Sequence, residues 1–192
     1  GAPLPQDVAM RVEKPIGCPL NSGWGMTETS PAGVHTPLQG DVPFGSIGLP
    51  MPGIELKIVS ADDPSKELGA NETGELAIKG LNVTSGYWNK HEESKASFHD
   101  GFFLTGDIGH FDDNGFFFLV DRKKDLIISG GFNVYPQMIE QAIYTHPSVE
   151  EVLVIGVPDS YRGESAKAFV KLRQGAEPLT LDALNAFLDG KI

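Results

Sequence analysis

Hydrophobic and polar positions alternate with a period of two in one short run of the first half of the chain. Residues Ile54–Val59 follow this pattern, and the apolar stretch Gly74–Gly80 comes after a polar loop at 61–73. Short strands at this spacing predict a small barrel or sandwich, and we expect a β-barrel-like subdomain. Helices are predicted at 6–12 and, with many charges, at 91–98.

The last third of the chain predicts a compact α+β unit. Its pattern gives a helix, two strands and a second helix: 137–145, 149–157, 166–172 and Leu181–Leu188. Pro136 suits the first position of the earlier helix, where a missing N–H costs nothing. We interpret 149–157 as a buried strand and expect Leu181 to face the core.

The stretch 101–140 separates these two regions and carries most of the unusual chemistry. Its apolar run 115–120 is followed by the charges of 121–125, and a second apolar run ends at Gly130 and Gly131. This order fits a hairpin with a solvated five-residue loop. It also fits a junction between two packed units, where a few residues can absorb a large change in φ and ψ. We place a domain boundary and a hinge at 121–125.

Composition narrows the class of protein. The 192 residues are 40% hydrophobic and 21% charged, with a net charge of -11 and a pI near 4.8. This balance argues against nucleic acid or an anionic membrane as a partner, because both require clustered Lys and Arg. Cys18 has no second cysteine to pair with, and no apolar run reaches the ~20 residues of a transmembrane segment. We expect a cytoplasmic protein without a signal peptide, whose natural N-terminus lies elsewhere.

The motif Gly23-Trp24-Gly25-Met26-Thr27-Glu28 combines two glycines, an aromatic ring, a hydroxyl and a carboxylate. Glycines let backbone approach a flat ligand while the indole covers it. The hydroxyl and the carboxylate can then face a phosphate and its metal ion. The same pattern also fits a glycine-rich turn with a tryptophan in the core.

Two further motifs follow in the chain. Thr105-Gly106-Asp107 places a carboxylate after a glycine, where aspartate is often only a turn former. Asp121-Arg122-Lys123-Lys124-Asp125 then precedes the glycine pair. In this order, the three motifs resemble those of the adenylate-forming enzymes, specifically the acyl-CoA synthetases, and the resemblance covers nearly the whole chain. The segment 74–89 also resembles this family, and we interpret it as structural.

The resemblance implies a binding role for each motif. Trp24 would lie against the adenine of ATP or AMP, Thr27 on the α-phosphate, and Glu28 toward Mg²⁺. The family usually has Tyr where Trp24 stands, so stacking is kept but a phenolic hydrogen bond is lost. The resemblance places the rest of the motif, Gly23, Gly25 and Met26, at the same nucleotide site.

The later motifs would complete the site. Asp107 would accept hydrogen bonds from the ribose hydroxyls, with Arg122 as its partner on that sugar. Lys124 corresponds to the family's hinge residue, about which a small mobile domain rotates. Gly130 and Gly131 would leave room for the pantetheine of CoA.

The resemblance implies activation of a carboxylic acid by Mg·ATP and its transfer to CoA, and it favours a fatty acid. Residues 1–120 would then end a large AMP-binding domain, and 126–192 would form an incomplete C-terminal domain. A nonribosomal-peptide-type adenylation domain is an alternative, although the residues of 121–136 favour the CoA ligases. A nucleotide-binding or structural fragment without turnover is another. Because neither the family's phosphate-gripping loop nor its terminal lysine is found, we expect the chain to be inactive alone.

Overall fold

The computed structural model describes residues 6–18 and 20–191. The chain separates into two compact units, residues 1–119 and 120–192. This division falls beside the predicted boundary at 121–125, whereas the hinge and the roles of the two domains stay predictions. Among the described residues, no helix combines the length and apolarity that crossing a membrane demands.

The first unit is built on one antiparallel sheet. In the described residues the sheet has eight strands in the order β1-β2-β3-β8-β7-β5-β4, with β6 paired to β7. The strands are β1 (Gly23–Trp24), β2 (Val34–His35), β3 (Ser46–Pro50), β4 (Ile54–Val59), β5 (Gly74–Gly80), β6 (Phe98–His99), β7 (Phe102–Phe111) and β8 (Phe117–Arg122). The division between the units falls within β8, after Leu119. The helices are α1 (Gln6–Ile16) and α2 (His91–Ala96).

The predicted β-barrel-like subdomain is wrong. Strands β1 and β4 lie at opposite ends of the strand order, and no pairing between them closes the described sheet. The predicted strands at Ile54–Val59 and Gly74–Gly80 are confirmed as β4 and β5. Their alternation identifies a sheet face, but closure depends on long-range pairing, which alternation does not encode.

Within the part of the first unit that the structure describes, one apolar cluster links most of the strands. Its buried members come from β1, β2, β4, β5, β7 and β8, so residues distant in sequence share one core. These members are Trp24, Val34, Ile58, Leu76, Ile78, Phe103 and Phe117. Removing this much apolar surface from water is the main force that holds the sheet together.

In the second unit, the described residues 120–191 form a four-stranded antiparallel sheet with two helices, and α3, β11, β12 and α4 confirm the predicted helix-strand-strand-helix order. The sheet order is β10-β9-β12-β11, and Ile143, Val149 and Leu188 form the core with the helices. The elements are β9 (Ile127–Ser129), β10 (Phe132–Val134), α3 (Pro136–Tyr144), β11 (Val149–Asp159), β12 (Gly163–Leu172) and α4 (Leu181–Leu188).

Two burial predictions in the second unit are wrong. Strand β11 is not buried along its length: Val149 and Val154 are buried, on either side of a shift in register between Val149 and Glu151, while Leu153 and Ile155 are exposed. Leu181, at the start of α4, is 71% exposed. Pro136 does occupy the first position of α3, as predicted.

The simple hairpin at 121–125 is also excluded. Strand β8 pairs with β3 and β7, whereas β9 pairs with β10 and β12. The charged residues therefore connect two separate sheets. Lys123–Asp125 forms a single 3-10 turn between them.

Candidate functional site

A hydrogen bond between Trp24 and Asp107 joins the first two motifs of the first unit. The indole Nε1 donates to the Asp107 Oδ2 over 2.7 Å, across 83 positions of sequence. Trp24 is only 6% exposed and belongs to the core, while Asp107 is also buried. A charge-assisted bond in such a site is shorter and stronger than one between neutral groups.

The indole ring is also held from one side by backbone. A Cβ built on Gly33 would lie 2.8 Å from Cζ3 of Trp24, so the chain passes directly against the ring. With 6% of its surface exposed, Trp24 offers adenine a small part of the indole in this unit. Its stacking role stays a prediction.

A bulge in β7 aims Asp107. Strand β5 pairs Glu75 with Ile108 and Ala77 with Leu104, so a single β5 residue lies opposite three residues of β7, Thr105-Gly106-Asp107. Gly106 has a φ of 72°, in the left-handed region that glycine adopts without strain. Bulges of this kind bend a strand and redirect its side chains. The bulge therefore helps to direct the Asp107 carboxylate toward the Trp24 indole.

Hydrogen bonds on three sides fix the bulge. The Thr105 hydroxyl donates to the Leu76 carbonyl over 2.8 Å and accepts from the Asp107 N–H over 3.1 Å. The Gly106 N–H donates to the Glu75 Oε1 over 2.9 Å. Groups buried within this network are satisfied by each other, which favours one defined conformation.

Glu28 lies in the 3-10 turn Thr27–Thr29, which follows the glycine-tryptophan strand. The Tyr87 hydroxyl donates to the Glu28 Oε1 over 2.9 Å, and the Thr84 N–H donates to the Glu28 carbonyl over 2.7 Å. Burial, and then the hydrogen bond to Glu28, raise the pKa of Tyr87 above its ordinary value. The phenol therefore stays protonated and acts as a donor to the carboxylate at neutral pH.

The donor set at Glu28 fits a magnesium ion that is held mainly by a nucleotide. The described residues contain no group of three acidic, histidine or cysteine side chains that could hold a metal by themselves. Mg²⁺ is usually bound through one or two carboxylates together with substrate phosphates. A single carboxylate oriented by a phenol meets that requirement, so Glu28 would be the protein ligand.

The glycines of the first motif have structural causes. A Cβ on Gly25 would lie 1.5 Å from the Pro31 carbonyl oxygen, and one on Gly23 would lie 3.1 Å from the Val34 carbonyl oxygen. Close approach of backbone to backbone requires glycine at position 25. Met26 and Thr27 follow in the chain, and Thr27 is exposed. Ligand contacts by these residues stay predictions.

The charged junction is not uniformly solvated. Asp121 is buried, and its two carboxylate oxygens accept from the N–H groups of Arg122 and Gln137, over 2.7 and 2.9 Å. Gln137 lies in the first turn of α3, so the carboxylate stabilises the positive end of that helix. Lys124 is exposed. Arg122 and Lys124 belong to the second unit and Asp107 to the first, and a shared ribose site stays a prediction.

Gly130 and Gly131 form the two-residue turn between β9 and β10. Their φ values are 59° and 85°, and two consecutive positive values are typical of a tight hairpin turn. A Cβ on either glycine would have no atom within 4 Å. The turn thus explains the glycines, and their role in leaving room for pantetheine stays a prediction.

Sequence reasoning missed three residues that support the motifs: Glu75, Tyr87 and Asp121. Glu75 could have been noticed, because it interrupts an apolar strand with a charge, and its side chain is 2% exposed. Tyr87 lies in the segment interpreted as structural, and nothing in the sequence pairs it with Glu28. Asp121 is one of the five consecutive charged residues at 121–125, and nothing in the sequence distinguishes it from the others.

Comparison with known proteins identifies the family of this chain. The sequence profile described as AMP-binding enzyme matches residues 1–88, and that of the AMP-binding enzyme C-terminal domain matches residues 138–192. Together they cover most of the chain. The chain belongs to the AMP-binding enzymes, and the resemblance to acyl-CoA synthetases is confirmed.

Individual relatives sharpen the comparison. The chain is 45% identical over 192 residues to the long-chain-fatty-acid–CoA ligase of Bacillus subtilis strain 168, covering 100% of this chain and 34% of that protein. It is 41% identical over 179 residues to the 2-succinylbenzoate–CoA ligase of Geobacillus kaustophilus, covering 93% of this chain and 36% of that protein. The chain thus spans about a third of the length of the curated relatives it matches.

Solved structures give the same result. ATP-bound MatB from Rhodopseudomonas palustris has a TM-score of 0.90 and 38% identity, with 100% of this chain and 38% of that chain covered. The O-succinylbenzoate coenzyme A synthetase of Bacillus subtilis in complex with ATP and magnesium has a TM-score of 0.83 and 33% identity, with 100% and 39% covered.

Proposed function

We propose that the whole protein to which these residues belong joins a carboxylic acid to CoA in two ATP-dependent steps. In the first step, a carboxylate oxygen forms a bond to the α-phosphorus of ATP, and pyrophosphate leaves. In the second step, the CoA sulfur forms a bond to the acyl carbon, AMP leaves with the former carboxylate oxygen, and the thiol proton is released. Bound Mg²⁺ would neutralise phosphate charge.

The observation that carries this proposal is the Trp24–Asp107 hydrogen bond of 2.7 Å. It brings together the two motifs that the resemblance assigns to adenine and ribose, within one compact unit. A carboxylate suits ribose because it accepts hydrogen bonds from both hydroxyls of a diol. Because Asp107 is already fixed by the bulge and by Trp24, little ordering is needed when the nucleotide binds.

Four further residues have roles in this proposal. Thr27 donates its hydroxyl to the α-phosphate, and Glu28 binds the magnesium ion. Arg122 adds a cationic donor to the ribose, and Lys124 changes its backbone angles between the two steps. Positioning and charge neutralisation, rather than covalent catalysis by the protein, would supply most of the rate enhancement.

The nucleotide assignment is tested in the whole protein with Asp107→Ala. We expect a strong rise in KM for ATP and little change in KM for the acid, because the ribose contact alone is lost. Asp113→Ala, at an exposed position of the same unit, is the matched control and should keep both constants. Unchanged ATP kinetics in Asp107→Ala would overturn the ribose role.

The hinge assignment is tested with Lys124→Pro, which fixes φ at ≈ −65°. The two steps are measured separately, by pyrophosphate exchange and by CoA consumption. We expect thioester formation to fall more than adenylate formation, because only the second step requires the changed backbone angle. Lys124→Ala removes the side chain without fixing φ and is the control. Equal loss in both steps would mean that Lys124 lies in a structural turn.

The names of the relatives support a substrate class for this proposal. Fatty acids are favoured because the Bacillus subtilis relative, named a long-chain-fatty-acid–CoA ligase, shares 45% identity. The Geobacillus relative named a 2-succinylbenzoate–CoA ligase supports an aromatic diacid as second candidate. These names favour CoA ligation over the peptide-type adenylation alternative. A panel of saturated fatty acids, 2-succinylbenzoate and amino acids should give the highest kcat/KM with a fatty acid.

A further inference from the structure

We infer that Glu75 is a positioning residue for the ribose carboxylate, acting through the Gly106 backbone. This inference rests on the proposed function, since it assigns Asp107 to the ribose of ATP. Glu75 lies on β5 and is 2% exposed, and its Oε1 accepts from the Gly106 N–H over 2.9 Å. It touches neither the reacting atoms nor the acid in this account.

A buried carboxylate needs a reason at this position. The neighbouring residues of β5, Leu76, Ala77 and Ile78, are buried and apolar, so an apolar side chain would pack here without a desolvation cost. Burial of a charged group is tolerated where it satisfies a donor that would otherwise be unpaired. One such donor to Glu75 is the Gly106 N–H at the centre of the bulge.

The geometry links Glu75 to the orientation of Asp107. Gly106 is the residue with positive φ, where the backbone of β7 leaves its regular pairing with β5. Because glycine has the widest choice of φ and ψ, the Gly106 peptide needs an external contact to hold one conformation. The Glu75 oxygen supplies that contact one residue before Asp107, and the Thr105 hydroxyl fixes the Asp107 N–H on the other side.

A substrate analogue makes the inference testable. In the whole protein, the ratio of kcat/KM for ATP to kcat/KM for 2′,3′-dideoxy-ATP reports how well the ribose hydroxyls are recognised. A pair of hydrogen bonds to a charged acceptor gives the wild type an expected ratio of about tenfold or more. Asp107→Ala should reduce this ratio several-fold, to the part that Arg122 contributes, and this fall identifies the carboxylate as a group that recognises the hydroxyls.

The Glu75 variants then separate positioning from simple stability. Glu75→Ala should reduce the ratio to within about twofold of the Asp107→Ala value, and the double variant should lose nothing further. Glu75→Gln keeps an acceptor for the Gly106 N–H and should restore most of the ratio. Glu55→Ala, exposed on the neighbouring strand β4, is the control and should leave the ratio unchanged.

A second pair of variants covers the case in which Glu75→Ala does not fold. Thr105→Val removes the other two hydrogen bonds of the bulge and should lower the ratio, whereas Thr105→Ser keeps them and should not. A wild-type ratio retained in folded Glu75→Ala, or in Thr105→Val, overturns the positioning role. If the ratio falls in Asp107→Ala but not in the Glu75 and Thr105 variants, the ribose role of Asp107 stands and only the positioning role of Glu75 is rejected. A ratio near one in the wild type would reject the ribose role and the positioning role together.

Discussion

Trp24→Phe should destabilise the first unit markedly, because it removes a hydrogen bond and buried surface together. The indole Nε1 donates to a buried carboxylate over 2.7 Å, and bonds to charged groups contribute about 1.5–3 kcal/mol. The smaller phenyl ring also leaves part of the space of a 6% exposed side chain unfilled, which costs about another 1 kcal/mol. We expect a total loss near 3 kcal/mol, a large share of the 5–15 kcal/mol that stabilises a typical domain.

The assay is urea unfolding followed by far-UV circular dichroism, since the substitution also removes a fluorophore. Trp88→Phe is the matched control, because Trp88 is 90% exposed in the same unit and its loss should cost less than about 0.5 kcal/mol. In an Asp107→Ala background the cost of Trp24→Phe should fall to about 1 kcal/mol, because the acceptor is already absent. Equal effects of Trp24→Phe and Trp88→Phe would refute the reasoning.

Three further predictions concern the same unit. Gly25→Ala should destabilise it by about 3 kcal/mol in urea unfolding, because the added Cβ would lie 1.5 Å from the Pro31 carbonyl oxygen and the backbone must move; a wild-type midpoint would contradict this. Burial lowers the pKa of His110 below its usual 6.5, so the stability that this histidine contributes above pH 6.5 should be lost as pH falls toward its folded-state pKa. In His110→Phe the urea midpoint should therefore depend less on pH between about pH 7 and 5. The same pH dependence in the variant and the wild type would exclude this histidine as the cause. Tyr87→Phe should raise the Mg²⁺ concentration for half-maximal activity about tenfold, because Glu28 loses the phenol that orients it. The unfolding midpoint should not change, because the ring, 37% exposed, remains. An unaltered Mg²⁺ dependence would mean that Tyr87 is not part of the site.

Local features of this fold could be predicted from sequence because short-range physics sets them. Alternation identifies Ile54–Val59 as a strand, and the fixed φ of proline places Pro136 at the start of α3. The motifs around Trp24 and Asp107 could be assigned to nucleotide binding because their residues and order resemble those of the adenylate-forming enzymes. Their contact could not be predicted, because 83 residues separate them and only the strand order of the sheet brings them together.

The errors also have physical causes. The expected barrel failed because short alternating strands are compatible with an open sheet as well as a closed one. Strand β11 appeared buried because it is rich in apolar residues, yet composition does not reveal which face of a sheet is covered. The bulge before Asp107 depends on register with β5, and one glycine in a strand does not specify how many residues it displaces.

The most direct test of the proposed function follows an oxygen atom. The whole protein is incubated with Mg·ATP, CoA and a fatty acid labelled with ¹⁸O in its carboxylate, and the products are analysed by mass spectrometry. With both carboxylate oxygens labelled, attack of the carboxylate on the α-phosphorus predicts AMP that carries one ¹⁸O, acyl-CoA that keeps the other ¹⁸O in its thioester carbonyl, and unlabelled pyrophosphate. Label in inorganic phosphate with formation of ADP, or AMP without label, would contradict an acyl-adenylate and with it the account given for Trp24, Asp107 and Glu28.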